Sequence, residues 1–125
     1  FYFCAPDGKT IYVQSRDVYP VDDRTPQVKK MVFENMDCTN CHVAAAYFDG
    51  LPEQKIEEIY MKDISISYAE DAKCDVPAMS DGVEKSSKRG LFARNVAKLT
   101  LDNVRIKGQV GEAYELEGVD ELIRR

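Results

Sequence analysis

This 125-residue chain has no tryptophan, a single histidine and no apolar tract of the roughly 18 residues that a membrane-spanning helix needs. Acidic side chains outnumber basic ones by 22 to 17, and the net charge of -5 argues against general binding of nucleic acid. The length suits one domain, and a hydrophobic content of 44% is enough to form a core. We therefore expect a single domain without a membrane or nucleic-acid partner.

The chain begins without an initiator methionine, and residues 1–4 lack the basic region with which a signal peptide starts. This indicates an excised or processed segment. Two strand-like stretches, residues 1–5 and 10–14, flank a Pro-Asp-Gly-Lys turn, which predicts a β-hairpin. Residues 1–19 are therefore expected to form a hairpin and a polar connection to the rest of the chain.

Three stretches of the chain repeat one pattern of apolar residues. The copies start at Val28, Ile56 and Val96, with apolar residues at steps 0, 3, 5, 8 and 10 and an Asn or Asp at step 7. A helix would scatter these steps around its axis, whereas two short strands joined by a bend would bring them to one face. Asn and Asp suit the bend because they tolerate left-handed backbone angles.

The spacing of the copies indicates stacked units. A fourth copy begins at Val119, so successive starts are 28, 40 and 23 residues apart, and 23 is the bare unit. The others carry insertions, the longest being a polar loop at residues 69–89. A second motif, at residues 91–96 and 114–119, also recurs after 23 residues, and residues 46–51 are a looser third member. Repeats of this length usually cannot bury their own apolar faces and must stack.

The repeats predict an all-β fold. Short stacked strands without helical periodicity are typical of a parallel β-helix. We expect a single domain of residues 1–125, in which residues 20–125 form about three to four coils. A β-sandwich with similar-looking strands is the alternative. A cut β-helix exposes an unpaired edge, so we expect self-association through that end or its capping by the amino-terminal hairpin.

A possible haem motif overlaps the first repeat. Cys38-Thr-Asn-Cys41-His42 has the spacing with which c-type cytochromes attach haem. Candidate second axial ligands are Met31, Met36, Met61 and Met79. However, Cys38 occupies step 10, where the other copies have Ile66 and Ile106, and a free cysteine packs well in a core. We therefore expect core packing at Cys38 and no cofactor.

Other uses of the cysteines have less support. A zinc site formed with Cys4 or Cys74 would lack the second paired-ligand spacing that marks such sites. A redox pair would need a thioredoxin-like βαβ setting, which is not visible. The four cysteines also permit two disulfides without demanding them, so the redox compartment stays open. His42 has no serine nucleophile motif or matched carboxylate nearby in sequence, so we expect a structural or surface role.

The sequence contains two charged clusters that are candidate sites. Asp22 and Asp23 would point to opposite faces of a strand, so we expect them to form a turn with a charge pair and not a catalytic pair. The run from residue 84 to residue 98 is strongly basic. Its cations are Lys85, Lys88, Arg89, Arg94 and Lys98. Charge-assisted bonds from such cations can hold a carboxylate-bearing sugar, although a solvated face explains the run equally well.

Four segments resemble the C-terminal coils of bacterial polygalacturonase-like glycoside hydrolases. They are residues 22–26 (DDRTP), 40–52 (NCHVAAAYFDGLP), 76–83 (VPAMSDGV) and 89–96 (RGLFARNV). The resemblance covers roughly residues 20–120. It implies a right-handed parallel β-helix and a parent enzyme that hydrolyses pectic polysaccharide with inversion, using aspartates as acid and base. Lys88, Arg89 and Arg94 are the candidate substrate-binding residues.

The catalytic signature of that family does not transfer. The family carries Asn-Thr-Asp, Asp-Asp, Gly-His-Gly and Arg-Ile-Lys in that order, but this chain has no Asn-Thr-Asp and its His42 lacks flanking glycines. Its Asp-Asp pair lies in the later Asp-Arg-Thr-Pro segment, and Arg105-Ile106-Lys107 falls in the third repeat, far downstream. We carry over no catalytic residue and expect the isolated chain to be inactive. The alternative is a stand-alone carbohydrate-binding or assembly module.

Overall fold

The computed structural model describes residues 18–78, 80 and 83–125, and this part of the chain contains seven strands and no helix. The strands are β1 (Lys30–Cys41), β2 (Ala44–Asp49), β3 (Ile56–Tyr68), β4 (Arg89–Arg94), β5 (Val96–Lys107), β6 (Tyr114–Glu117) and β7 (Glu121–Arg124). No helix long and apolar enough to cross a membrane occurs in these residues. The expected hairpin, Cys4 and Met79 lie outside them.

Successive strands alternate between two sheets. Sheet A has the order β1-β3-β5-β7 and sheet B the order β2-β4-β6, and all the pairings are parallel. The all-β prediction is confirmed. The long loop expected at residues 69–89 joins β3 to β4, and an isolated antiparallel bridge connects Asp75 with Ser86 inside it.

The register of both sheets is the one that the repeats predict. In sheet A the step-3 residues Met31, Ile59, Leu99 and Leu122 lie side by side. The residues at steps 5, 8 and 10 of the three complete copies are aligned in the same way. In sheet B the second motif aligns Ala46, Leu91 and Tyr114. The spacing in the sequence therefore determines which side chains become neighbours across the strands.

An Asn or Asp with a left-handed backbone bends each long strand of sheet A. Asn35, Asp63 and Asn103 have φ values of 55°, 52° and 53°. Few residues other than glycine adopt these angles readily, and Asn and Asp are among them. The bends also stack, because Asn103 Nδ2 donates a hydrogen bond of 2.8 Å to Asp63 Oδ1. The role predicted for step 7 is confirmed.

The apolar core lies between the sheets and is deepest in the middle repeats. The largest fully buried side chains are Ile59, Leu91, Val96 and Leu99. In the first and last repeats the residues at the same apolar steps are more exposed, since Leu122 is 41% exposed and Met36 is 42% exposed. Cys38 is half-buried and packs against this core, as its place in the repeat predicted. Each repeat is thus covered by its neighbours, and the terminal repeats have a neighbour on one side among the described residues.

Charges alternate in sign across the outer face of sheet A. The residue two steps into each copy gives the row Lys30, Glu58, Lys98 and Glu121. The residue six steps in gives Glu34, Lys62 and Asp102, and Arg125 lies 3.7 Å from Asp102. Lys30 Nζ lies 3.6 Å from Glu58 Oε1. Opposite charges on neighbouring strands favour this register over one that pairs like charges.

The bends are testable at Asn35. We expect Asn35→Val to lower the free energy of unfolding by about 1–2 kcal/mol, because a β-branched side chain clashes in the left-handed conformation. Asn35→Gly is expected to be milder by about 1 kcal/mol, since glycine adopts the same angles without that clash. Urea denaturation followed by circular dichroism measures both. Equal losses in the two variants would contradict the left-handed bend.

Candidate functional site

The outer face of sheet B carries an arginine–aromatic face, which we define as Tyr47, Arg89, Phe92 and Arg94. Strand alternation turns Leu91 into the core and Phe92 outwards. Tyr47 and Phe92 are partners across β2 and β4, and their rings stack with centroids 4.6 Å apart. The register of sheet B therefore creates this cluster from residues far apart in the chain.

Two guanidinium groups cover the Phe92 ring. The Arg89 and Arg94 guanidinium carbons lie 4.5 and 5.6 Å from the ring centroid. Phe92 is consequently only 4% exposed although it faces outwards. Such contacts between a cation and an aromatic ring contribute about 0.5–1 kcal/mol at exposed sites. The arginines thus shield an aromatic residue that would otherwise contact water.

Both arginines also have carboxylate partners. Arg89 Nε donates to Glu115 Oε2 at 2.8 Å, and a second nitrogen of the same guanidinium contacts this oxygen. Arg94 holds Asp49 with two bonds of 2.8 and 2.7 Å. The hydrogen bond that Arg89 donates to Glu115 raises the pKa of Arg89, and the bond that Arg94 donates to Asp49 raises the pKa of Arg94. Each arginine is therefore held as a cation in a fixed orientation.

A cleft of about 330 Å³ opens beside Arg89. Its lining residues are Glu84, Lys85, Ser86, Ser87, Arg89, Val110 and Glu115. Two of them are anchored, because Ser86 Oγ donates to Val43 O at 3.4 Å and Ser87 Oγ donates to Ala72 O at 3.1 Å. Lys85 is exposed. The cleft therefore places two cations beside two carboxylates, Glu84 and Glu115. Because both hydroxyl protons are already donated, Lys85 and the remaining N–H groups of Arg89 are the donors that an anionic ligand would meet.

The three substrate-binding candidates from the sequence, Lys88, Arg89 and Arg94, do not share one site in the structure. Arg89 and Arg94 share the arginine–aromatic face, and Arg89 alone of the three lines the cleft. Lys88 has a left-handed backbone with φ of 52°, and its Nζ donates to Glu70 O at 3.2 Å. Its ammonium is thus directed to the loop after β3. The register of the second motif aligned Tyr47 with Phe92, but nothing in the sequence placed Lys85 and Glu115 around one cleft.

The cysteine motif is integrated into the β-structure. Cys38 is aligned with Ile66, and both Cys38 and Cys41 are free thiols. Burial, with a smaller effect of Cys38, raises the pKa of the Cys41 thiol, which makes it a weaker nucleophile and metal ligand at neutral pH. His42 Nδ1 accepts a hydrogen bond from the Lys73 amide at 3.0 Å. In residues 18–78, 80 and 83–125, no group of three or more His, Cys, Asp or Glu side chains could hold a metal ion.

Asp22 lies in a turn with a charge pair, as predicted. The Thr25 amide donates to Asp22 O at 3.1 Å, and the Arg24 guanidinium lies 2.8 Å from the Asp22 carboxylate. Hydrogen bonds from Arg24 lower the pKa of Asp22. A carboxyl group held in its charged form is unsuited to act as a general acid.

Comparisons with known proteins give no match to this chain, whether against protein-family models, curated proteins or solved structures. The resemblance to polygalacturonase-like enzymes therefore rests on the four segments quoted above. The cleft beside Arg89 brings Lys85 and Arg89 together with Glu84 and Glu115.

Tyr68 is bonded to the strand that carries Arg89 and gives a prediction about pH. Its hydroxyl donates to the carbonyl oxygen of Arg89, at the start of β4. Burial, with a smaller effect of Cys41, raises the pKa of Tyr68 from 10.0 to about 12. Because the folded state disfavours the phenolate, Tyr68 contributes stability below pH 10, and this is lost as the pH rises towards 12.

We therefore expect the free energy of unfolding to fall more steeply between pH 10 and 11.5 in the wild type than in Tyr68→Phe. Denaturant titrations at several pH values measure both slopes. Between pH 7 and 9 the free energy of unfolding should change equally with pH in the two proteins, which is the internal control. Parallel slopes above pH 10 as well would show that Tyr68 ionises normally.

Proposed function

We propose that this chain is a segment of a right-handed parallel β-helix from a polygalacturonase-like glycoside hydrolase, and that its cleft binds carboxylate groups of pectic polysaccharide. The alternation of the strands between two parallel sheets and the 23-residue unit support the fold. The position of Arg89 at the cleft, with Lys85 on the same rim, carries the binding proposal.

Arg89 is suited to bind a carboxylate because its orientation is fixed before a ligand arrives. Phe92 lies beneath the guanidinium and Glu115 engages two of its nitrogens. A guanidinium has five N–H donors, so others remain for a ligand. Lys85 supplies a second positive charge at the rim. The ion pair with Glu115 lowers the affinity, and we therefore propose a subsite that adds to binding elsewhere on a long polysaccharide.

The cleft is not suited to hydrolysis. An inverting glycosidase needs one protonated carboxyl group as the acid and a second, ionised one as the base. The Glu115 carboxylate is already bound by the Arg89 guanidinium. Glu84, the other carboxylate of the cleft, is exposed to solvent. We therefore propose binding without catalysis.

Binding is tested by calorimetry with oligogalacturonate against a neutral oligosaccharide of equal length. We expect the acidic ligand to bind more tightly and Lys85→Gln to weaken it by about three- to tenfold, since an exposed charge contributes modestly. The control is Lys107→Gln, which removes an exposed cation that does not line the cleft. Equal affinity for both sugars, or equal losses in the two variants, would contradict the proposal.

The isolated chain is expected to release no reducing ends from polygalacturonate, because one carboxyl group of the cleft, Glu115, is bound by Arg89 and the other, Glu84, is exposed to solvent. The assay compares the chain with buffer over several hours at pH 4 to 8. Release that is absent from a boiled sample would overturn the absence of catalysis. Sequencing the gene upstream of Phe1 distinguishes the two readings of the chain. Upstream coils with Asn-Thr-Asp and Gly-His-Gly motifs would indicate a segment of an enzyme, and a native start near Phe1 would indicate a stand-alone binding module.

A further inference from the structure

Two carboxylates accompany the two cations of the cleft. Arg89 and Glu115 form an ion pair in which the side chains are 24% and 33% exposed. Glu84 and Lys85 are adjacent in the loop before β4, and both line the cleft. The formal charges of the described residues that line the cleft therefore sum to zero. Anions in general would be attracted more strongly if either carboxylate were absent.

Glu115 occupies donors of Arg89 that an anionic ligand could use. Arg89 Nε donates to Glu115 Oε2 at 2.8 Å, and Arg89 Nη2 contacts the same oxygen. These two nitrogens form one edge of the guanidinium, to which carboxylates can bind with two parallel hydrogen bonds. A ligand therefore either displaces Glu115 from this edge or binds the remaining N–H groups beside its negative charge.

Arg89 is also positioned by contacts other than the ion pair with Glu115. Its guanidinium carbon lies 4.5 Å from the Phe92 ring centroid. Its backbone amide donates to Val43 O at 3.0 Å, and its carbonyl oxygen accepts a hydrogen bond from the Tyr68 hydroxyl. Removal of the charge of Glu115 is therefore expected to leave the guanidinium in place.

The charge balance of the cleft determines how binding depends on the charge of the ligand. The Coulomb attraction of an anion rises in proportion to its charge, and nearby carboxylates offset the attraction by nearby cations. The Born cost of removing the anion from water rises with the square of its charge. When the charges of a cleft are balanced, this cost outweighs the attraction sooner for a dianion than for a monoanion.

We propose that Glu84 and Glu115 make the cleft selective for singly charged carboxylates over doubly charged phosphate monoesters. Glu115 is the main specificity-determining residue, because it contacts Arg89 directly. A uronate carries one negative charge, whereas a phosphate monoester carries about -1.5 to -2 at pH 7. This selectivity rests on the proposed binding of carboxylates in the cleft and names the charge of the group that the cleft accepts.

The test uses three probes with the same neutral oligosaccharide as their common part. One is unmodified, one ends in a single galacturonate and one ends in a single phosphate monoester. Titrations at pH 7.5 are followed by protein NMR, which measures dissociation constants into the millimolar range. We expect the wild type to bind the galacturonate probe most tightly, with a shift of the Arg89 Nε–H signal.

Glu115→Gln keeps the size of the side chain and a hydrogen-bond acceptor for Arg89 but removes the charge. We expect it to tighten binding of the galacturonate probe about threefold and of the phosphate probe about tenfold. The second factor is about the square of the first, because doubling the charge of the ligand doubles the change in Coulomb free energy.

Two further variants control this result. Glu34→Gln removes the same charge from the outer face of sheet A, at an exposed position, and should leave both affinities within about twofold of wild type. Glu84→Gln removes the second carboxylate of the cleft at an exposed position, where folding does not depend on it. It should change both affinities in the same direction as Glu115→Gln by smaller factors, and it provides the test if Glu115→Gln does not fold.

The outcomes separate the selectivity from carboxylate binding itself. A wild type that binds the phosphate probe as tightly as the galacturonate probe would overturn the selectivity and leave carboxylate binding in place. Cleft variants that tighten both anionic probes equally, or neither of them, would do the same. A wild type that prefers neither anionic probe over the neutral one would overturn the proposed function and this inference together.

Discussion

The burial of apolar rows between stacked repeats is the constraint on which the rest of the structure depends. One repeat presents an apolar face that it cannot cover alone, and its neighbours on either side complete the cover. Leu99 is therefore inaccessible in the middle of the stack, whereas Leu122, in the same row, is 41% exposed at its end. Register follows from this constraint, because a slip of one residue would turn every apolar side chain outwards.

The corners between the sheets meet a second requirement, which is close approach of backbones. A Cβ on Gly50 would lie 2.2 Å from Asn95 O, so only glycine fits there. Asn95 itself has a φ of 55°, and its side chain donates to Gly50 O at 3.0 Å. The corresponding residue of the next repeat, Gly118, has a φ of 60°. The repeat thus keeps its geometry at the corners with either glycine or asparagine.

Stacking also determines the chemistry of the outer faces. Parallel register brings residues of successive repeats into rows, and the rows become charge ladders on sheet A and an arginine–aromatic face on sheet B. Inward positions tolerate little besides apolar residues, whereas outward positions are free to vary. Binding is accordingly proposed on the outer face of sheet B, where the long loop adds hydroxyl groups to the cleft.

The sequence by itself determined the all-β class, the register and the bends. A step pattern repeated three times specifies which residues become neighbours, and Asn103 lies at step 7, where the bend was expected. The core position of Cys38 followed from the same alignment. These predictions succeeded because a periodic pattern constrains every copy at once.

Only the tertiary structure decided which cations line the cleft. Lys88 and Arg89 are adjacent in the sequence, yet the Lys88 ammonium bonds to Glu70 O while Arg89 pairs with Glu115 across two strands. The loop at residues 69–89 has no repeat to specify its path, so the convergence of Lys85 with Glu115 could not be predicted. Aperiodic segments are placed by their individual contacts, and those contacts form only when the chain has folded.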